Sequence, residues 1–426
     1  MTSASSTDRL RDEPLVSRRS LVASGLALVA LAGLAPATQS LAAAPAGEAV
    51  VPFKVALAQA DLDDLKRRLA AIRWPDPEIV PDRSQGIRTE PMKALMAHWR
   101  DKYDLRRIER ELNAYPHFKT RIDGLDIWFL HIRSKHPQAK PMIMTHGWPG
   151  SVLEFVKVIG PLTDPTAHGG TADQAFHLVI PALPGFGFSG KPSKPGWTHQ
   201  TTAHAWSTLM RRLGYERFVA QGGDWGAIVT TLMARDHVPG LDAIHLNFPI
   251  VLPAKLPTAP TPQEAAAIAA LKLYSDTRSG YFHEMANKPQ TTGFLLSDSP
   301  LGQAAWMYDH YVDATESGGV PETVLTRDEI LDEIMLYWIT NTGASSARTY
   351  WENRNFTFTA IPLDIPVGIS VFPGEVYLPP RSWGEAAYSK LIWWNYPPKG
   401  GHFAALEQPA LFVDELRNCF AKLPAA

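Results

Sequence analysis

Gly222-Gly223-Asp224-Trp225-Gly226 sets a carboxylate among glycines at the end of an apolar run, Arg217 to Gln221, directly ahead of a helical pattern, Ala227 to Arg235. Glycines permit the strained strand-to-helix turn that lifts one side chain clear of the backbone, a nucleophile elbow. In a G-x-S-x-G hydrolase that side chain is serine; here it is Asp224, and G-x-S-x-G occurs nowhere in the chain. The difference is chemical. A serine that attacked an alkyl carbon would end as an ether that water does not readily cleave, whereas a carboxylate gives an ester, and esters hydrolyse. Because Asp in a Gly-rich turn is also an ordinary turn-former, its partners decide between the two readings.

Two partners follow in the chain. The apolar run Val367 to Phe372 ends at Pro373-Gly374-Glu375, a carboxylate at the edge where sites of open α/β sheets gather. His402, in Gly400-Gly401-His402-Phe403, stands after the last apolar run and before a C-terminal helical pattern, on a loop suited to a general base. Asp364 is a rival acid, but it precedes its strand and is flanked by prolines, so Glu375 ranks above it. Nucleophile, acid and histidine in that order are the arrangement of the α/β-hydrolase fold. His146-Gly147-Trp148-Pro149-Gly150 occupies the loop that supplies one oxyanion-hole amide in that fold, and the residue after the nucleophile supplies the other. The backbone N–H groups of Trp148 and Trp225 are therefore expected to hold the oxyanion formed when water attacks the ester.

These residues need elements to position them. Seven apolar runs, Ile127 to Ile132, Pro141 to Thr145, His177 to Leu183, Arg217 to Gln221, Leu241 to Asn247, Val367 to Phe372 and Leu391 to Tyr396, alternate with helical patterns. That alternation predicts a doubly wound, mostly parallel sheet. The stretch 250–366 breaks it with helical periodicity and many tyrosines and tryptophans, and reads as an inserted helical cap. Core residues are then 124–249 and 367–426. Residues 47–123 form an accessory segment, with leucines 62, 65 and 69 on one helix face, a stop at Trp74-Pro75-Asp76-Pro77, and more helix from Met92 to Tyr103.

Residues 1–46 read as an address. Arg18-Arg19 precedes an apolar stretch, Leu21 to Ala35, and small-x-small sites follow at Ala42-Ala43-Ala44 and Ala44-Pro45-Ala46. This is the pattern of a twin-arginine export signal to the periplasm; an uncleaved N-terminal anchor is the alternative. The stretch is short for a bilayer core, which needs roughly 20 residues. Lysine plus arginine (41) nearly balances aspartate plus glutamate (43), with no run of one sign, so the charge pattern gives no footprint for nucleic acid. The expected partner is a small apolar molecule together with water. Cys419 is the single cysteine, which excludes an intramolecular disulfide. No metal-ligand cluster or phosphate-cradling loop appears, so no cofactor is expected.

The motifs also carry a resemblance. Trp74-Pro75-Asp76, Leu112-Asn113-x-x-Pro116-His117-Phe118, His146-Gly147-Trp148-Pro149-Gly150-Ser151, Leu183-Pro184-Gly185-Phe186-Gly187-Phe188-Ser189, Gly222-Gly223-Asp224-Trp225-Gly226 and Gly400-Gly401-His402-Phe403-Ala404 resemble the microsomal-type epoxide hydrolases, including their N-terminal segment. The resemblance implies Asp224 as nucleophile, Glu375 as acid and His402 as base. It also maps the two cap tyrosines that bind the epoxide oxygen to Tyr281 and Tyr350. The chemistry asks for such groups, since a departing alkoxide needs a proton and a phenol of pKa near 10 can give one. Spacing alone does not choose among Tyr274, Tyr281, Tyr308, Tyr311, Tyr337 and Tyr350. One departure is Glu284-Met285-Ala286 after Tyr281-Phe282-His283, where relatives usually carry an apolar residue and then Gln; it bears on cap packing and substrate range. A haloalkane dehalogenase would use the same Asp/His logic and a silent apolar-ligand binder would keep the pocket, but neither needs both a complete triad and phenolic acids.

Overall fold

The computed structural model describes residues 48–423; the expected export signal lies outside the described residues. Among the described residues nine strands form one sheet: β1 (Val51–Pro52), β2 (His117–Ile122), β3 (Leu125–Ile132), β4 (Lys140–Thr145), β5 (Phe176–Pro181), β6 (Phe218–Gly222), β7 (Leu241–Leu246), β8 (Val367–Ser370) and β9 (Leu391–Asn395). Their order is β1-β2-β3-β5-β4-β6-β7-β8-β9. β1 to β3 and the β3/β5 pair run antiparallel, and every pair from β5/β4 to β8/β9 runs parallel. The parallel centre is the part made of near-continuous apolar runs, such as Met142-Ile143-Met144 and Phe218-Val219-Ala220, all buried. Strands covered on both faces lose the polar alternation that a one-sided sheet shows.

Strands β3 to β9 answer to the seven apolar runs. β1 and β2 differ from the expectation, because the segment before residue 124 read as helical and instead also contributes two strands to the sheet. The cause is a tight hairpin. β2 pairs with β3 along its whole length, from His117↔Leu130 to Ile122↔Leu125, through a two-residue turn, Asp123 (φ 48°) and Gly124 (φ 80°). Two left-handed residues are what a twist-matched hairpin turn requires, and Asp-Gly supplies them.

Between β7 and β8 lie the helices Pro262–Leu273, Gly280–Asn287, Pro289–Asp298, Pro300–Ala314, Arg327–Ile339 and Gly343–Glu352, the cap that interrupts the sheet. The N-terminal helices Gln59–Ala70, Thr89–Asp101 and Arg107–Asn113 bury one apolar face each, Leu62, Leu65 and Leu69 in the first. Polar side chains of these helices and of the loops between them reach the cap. Arg83 meets Asp313 at 2.7 Å, His98 Nε2 meets Asp328 at 2.7 Å, and Asp332 accepts from both Tyr103 Oη (2.7 Å) and Arg107 Nε (2.9 Å). The accessory segment thus ties the cap down at points on the helices Pro300–Ala314 and Arg327–Ile339.

These ties should differ in strength by their burial. Asp332 has a side chain only 9% exposed, so Asp332→Ala strands a buried phenol and a half-buried guanidinium and should cost about 2–3 kcal/mol. The Arg68–Asp298 pair has an acid 87% exposed, and Asp298→Ala should cost less than about 1 kcal/mol. Chemical denaturation of both variants tests this; equal losses would contradict the account of how the segment holds the cap.

Candidate active site

Asp224 begins the helix Asp224–Arg235, two residues past the end of β6. Its φ is 47°, a left-handed backbone unusual for a residue with a side chain, and it turns the carboxylate away from the helix axis. The turn needs bare backbone around it. A Cβ on Gly226 would stand 1.9 Å from the Thr145 carbonyl at the end of β4, and one on Gly147 would stand 2.0 Å from Asp224 Oδ1. Those two glycines leave the volume that the elbow and its carboxylate fill.

The carboxylate is held by a backbone N–H and by an imidazole. Trp148 N–H donates to Oδ1 at 2.8 Å. His402 Nε2 lies 3.4 Å from Oδ2, and Nδ1 of the same ring lies 2.7 Å from Glu375 Oε1. Glu375 Oε1 also accepts from the Val376 N–H at 2.7 Å, which fixes its direction. Asp364 is elsewhere, exposed and 3.7 Å from His237. Of the two candidate acids, the fold brings only Glu375 to the histidine.

Burial opposes the charge on Asp224, but His402 and the N–H groups of Trp148 and Trp225 outweigh it and hold the acid below the usual carboxylate range. The start of a helix favours the same charge. Burial likewise disfavours a charged imidazole, yet the Glu375 and Asp224 carboxylates raise His402 well above an ordinary histidine. Glu154, three residues past Ser151, was not singled out in the sequence; burial pushes it up to about 8, so it stays uncharged near the same carboxylates.

Over this floor lies a cavity of about 290 Å³ with walls that include Phe248, Leu252, Leu271, Phe282 and Phe358. Tyr281 and Tyr350 project into it from two cap helices, Gly280–Asn287 and Gly343–Glu352. Tyr281 stacks on Trp148, with centroids 5.3 Å apart, and its ring is 5.9 Å from that of Tyr350. Burial raises both phenols well above 10, so both keep their protons. The Tyr350 hydroxyl has no partner in the protein, and that of Tyr281 meets Tyr274 at 3.1 Å. Met285 and Ala286, in the departure noted above, are packed inside, and Glu284 accepts from Thr292 at 3.3 Å.

Residues 50–155 match the model described as epoxide hydrolase N terminus, and residues 140–294 the alpha/beta hydrolase fold. Epoxide hydrolase 1 of Oryctolagus cuniculus is 37% identical over 406 residues, 87% of this chain and 88% of that one. The chain belongs to the epoxide hydrolase family. A Stigmatella aurantiaca member is 55% identical over 377 residues, 88% of this chain and 86% of its own. The structure of the Aspergillus niger epoxide hydrolase superposes with a TM-score of 0.78 at 30% identity, covering 89% of this chain and 97% of that one. The α/β-hydrolase fold with the family's N-terminal segment is the architecture these relatives share with it.

The arrangement makes the proton affinity of His402 depend on its two carboxylates. Glu375→Gln and Asp224→Asn should each lower the pKa of His402, Glu375→Gln by more, because its carboxylate is the leading attraction. The sign follows from removing a negative charge that favours imidazolium. An NMR titration of the imidazole nitrogens checks it, and an unchanged pKa in both variants would contradict the coupling.

Proposed function

We propose that the protein hydrolyses epoxides to vicinal diols in two steps through an ester on Asp224. The reading is carried by one observation, a carboxylate at the elbow facing two protonated phenols across an apolar cavity. With Oδ1 engaged by the Trp148 N–H, Oδ2 is the attacking oxygen. Attack on an epoxide carbon breaks its C–O bond, and the alkoxide takes a proton from Tyr281 or Tyr350. Without that proton the leaving group would be a strongly basic alkoxide in an apolar site.

The ester removes the charge on Asp224, and with it one of the two attractions that raise His402. The imidazole then gives up its proton more readily, the phenolate being its acceptor, and is a competent base for water, oriented by Glu375. Hydroxide attacks the ester carbonyl, and the tetrahedral oxyanion develops at Oδ1, already beside the N–H groups of Trp148 and Trp225. Collapse releases the diol and restores the carboxylate. Physical chemistry thus assigns opposite demands to one pocket, a protonated phenol in the first step and an unprotonated imidazole in the second.

A neutral apolar epoxide such as styrene oxide suits the cavity and should be turned over to its diol. Each lost donor hydrogen bond to the developing alkoxide should raise the barrier by about 2–4 kcal/mol, partly offset by the other phenol. Tyr281→Phe with Tyr350→Phe should therefore nearly abolish ester formation while the substrate still binds. Wild-type kcat/KM in the double variant would sink this assignment of the acids.

We also propose that the chain leaves the cytoplasm in folded form, on the ground of Arg18-Arg19, the apolar stretch after it and the small residues at 42–46. Among the described residues no helix is long and apolar enough to cross a membrane. Arg18→Lys with Arg19→Lys should retain an active precursor in the cytoplasm. Unchanged delivery to the periplasm in cell fractionation would refute the twin-arginine assignment.

A further inference from the structure

His310 lies on the cap helix Pro300–Ala314 and takes no part in the two steps above. Its ring meets that of His402 at 5.5 Å between centroids, edge to face, and that of Tyr281 at 4.8 Å. The side chain is buried, and its Nε2 has no hydrogen-bond partner. A buried polar atom without a partner is uncommon and calls for a reason. Packing against Trp148 (5.8 Å) and Phe403 (5.9 Å) would be served equally by phenylalanine.

The proposed reaction leaves a proton in the wrong place. Ester formation consumes the proton of a phenol and leaves a phenolate. His402 meanwhile still holds the proton it carries at rest and must lose it before it can act as base. That proton must pass from the His402 imidazolium to the phenolate, and the His310 ring packs against both His402 and Tyr281; in hydrolysis water then brings two protons, one to the released alcohol oxygen and one back to His402, which restores the resting state. We propose that His310 is the relay that returns the proton from His402 to Tyr281. One ring nitrogen accepts a proton as the other releases one, so the ring ends each cycle neutral and no bond other than N–H and O–H changes. Contacts among the phenols extend the path, since Tyr281 meets Tyr274 at 3.1 Å and neighbours Tyr350. Burial and the neighbouring His402 push the His310 pKa down to about 3, so at neutral pH the ring rests with one nitrogen protonated and one lone pair free, the state a relay needs.

His310 and Tyr281 also line an open cleft bounded by Arg73 and Ile87 of the N-terminal segment and by Asp313. Bulk water entering there is the competing route for the proton. The relay rests on the ester mechanism proposed above, and one experiment separates the two. Rapid mixing of enzyme with excess styrene oxide, followed by phenolate difference absorbance and by diol formed, should show a transient phenolate in the wild type. In His310→Phe the phenolate should form at the wild-type rate and persist, the first equivalent of diol should be delayed with it, and steady-state kcat should fall on the order of 10²-fold. Added imidazole should restore part of it. His310→Gln, which keeps polarity but cannot shuttle a proton between two ring nitrogens, should behave like His310→Phe and serves if that variant fails to fold. Absence of phenolate in the wild type would overturn the phenolic acid and the relay together. A wild-type phenolate whose decay is unchanged in the variants, or rises with buffer concentration, would overturn the relay alone.

Discussion

The structure is organised around keeping one carboxylate charged, dry and aimed. Asp224 sits in the apolar interior, where an isolated charge is costly, and its backbone is held in the left-handed region at the first residue of a helix. Backbone N–H groups and His402 offset the burial, and bare glycines at 147 and 226 leave it room. Parallel strands β4 and β6 must end side by side for this to work, since Thr145 pairs with Gly222 at the rim. The apolar core of the sheet is therefore a support for one turn.

The cap supplies what the sheet lacks. Asp224, His402 and the N–H groups of Trp148 and Trp225 all come from strand ends and loops of the core, whereas Tyr281 and Tyr350 stand on two cap helices. A third cap helix, Pro300–Ala314, reaches the base directly: the N–H of His402 donates to the Ala314 carbonyl at 2.9 Å, and Glu316, just beyond, accepts from Gly400 N–H. Cap and core thus share the loop that carries the base. The N-terminal segment grips the cap from outside through Asp313, Asp328 and Asp332. Tyr281, Tyr350 and Asp224 face one cavity, and fixed opposition of such groups is a source of effective molarity.

How much of this was legible in the sequence depended on whether the signal was local. The Gly-rich turn, the Glu375 strand end and the His402 loop each announce themselves within five residues, and the order of the three fixes the fold. Strands β3 to β9 are visible because buried parallel strands are continuous apolar runs. β2 was hidden because His117-Phe118-Lys119-Thr120-Arg121-Ile122 mixes charge with apolar residues and follows a helix; only its pairing with β3 makes it a strand. The tyrosines are a different case. Tyr281 and Tyr350 are chemically indistinguishable along the chain from Tyr308, which donates to Glu322, and Tyr337, which donates to the Gly150 carbonyl; the family resemblance, not the spacing, marked them. His310 and Glu154 carry no pattern at all, since their surroundings come from residues far away in the chain.

The central claim is that the carboxylate of Asp224 is the oxygen donor, and oxygen labelling tests it most directly. In a single turnover with excess enzyme in ¹⁸O water, the diol should emerge unlabelled and ¹⁸O should appear in the peptide that contains Asp224. Solvent label in the first-turnover diol, with none on that peptide, would mean that water attacks the epoxide directly and that Asp224 only orients it.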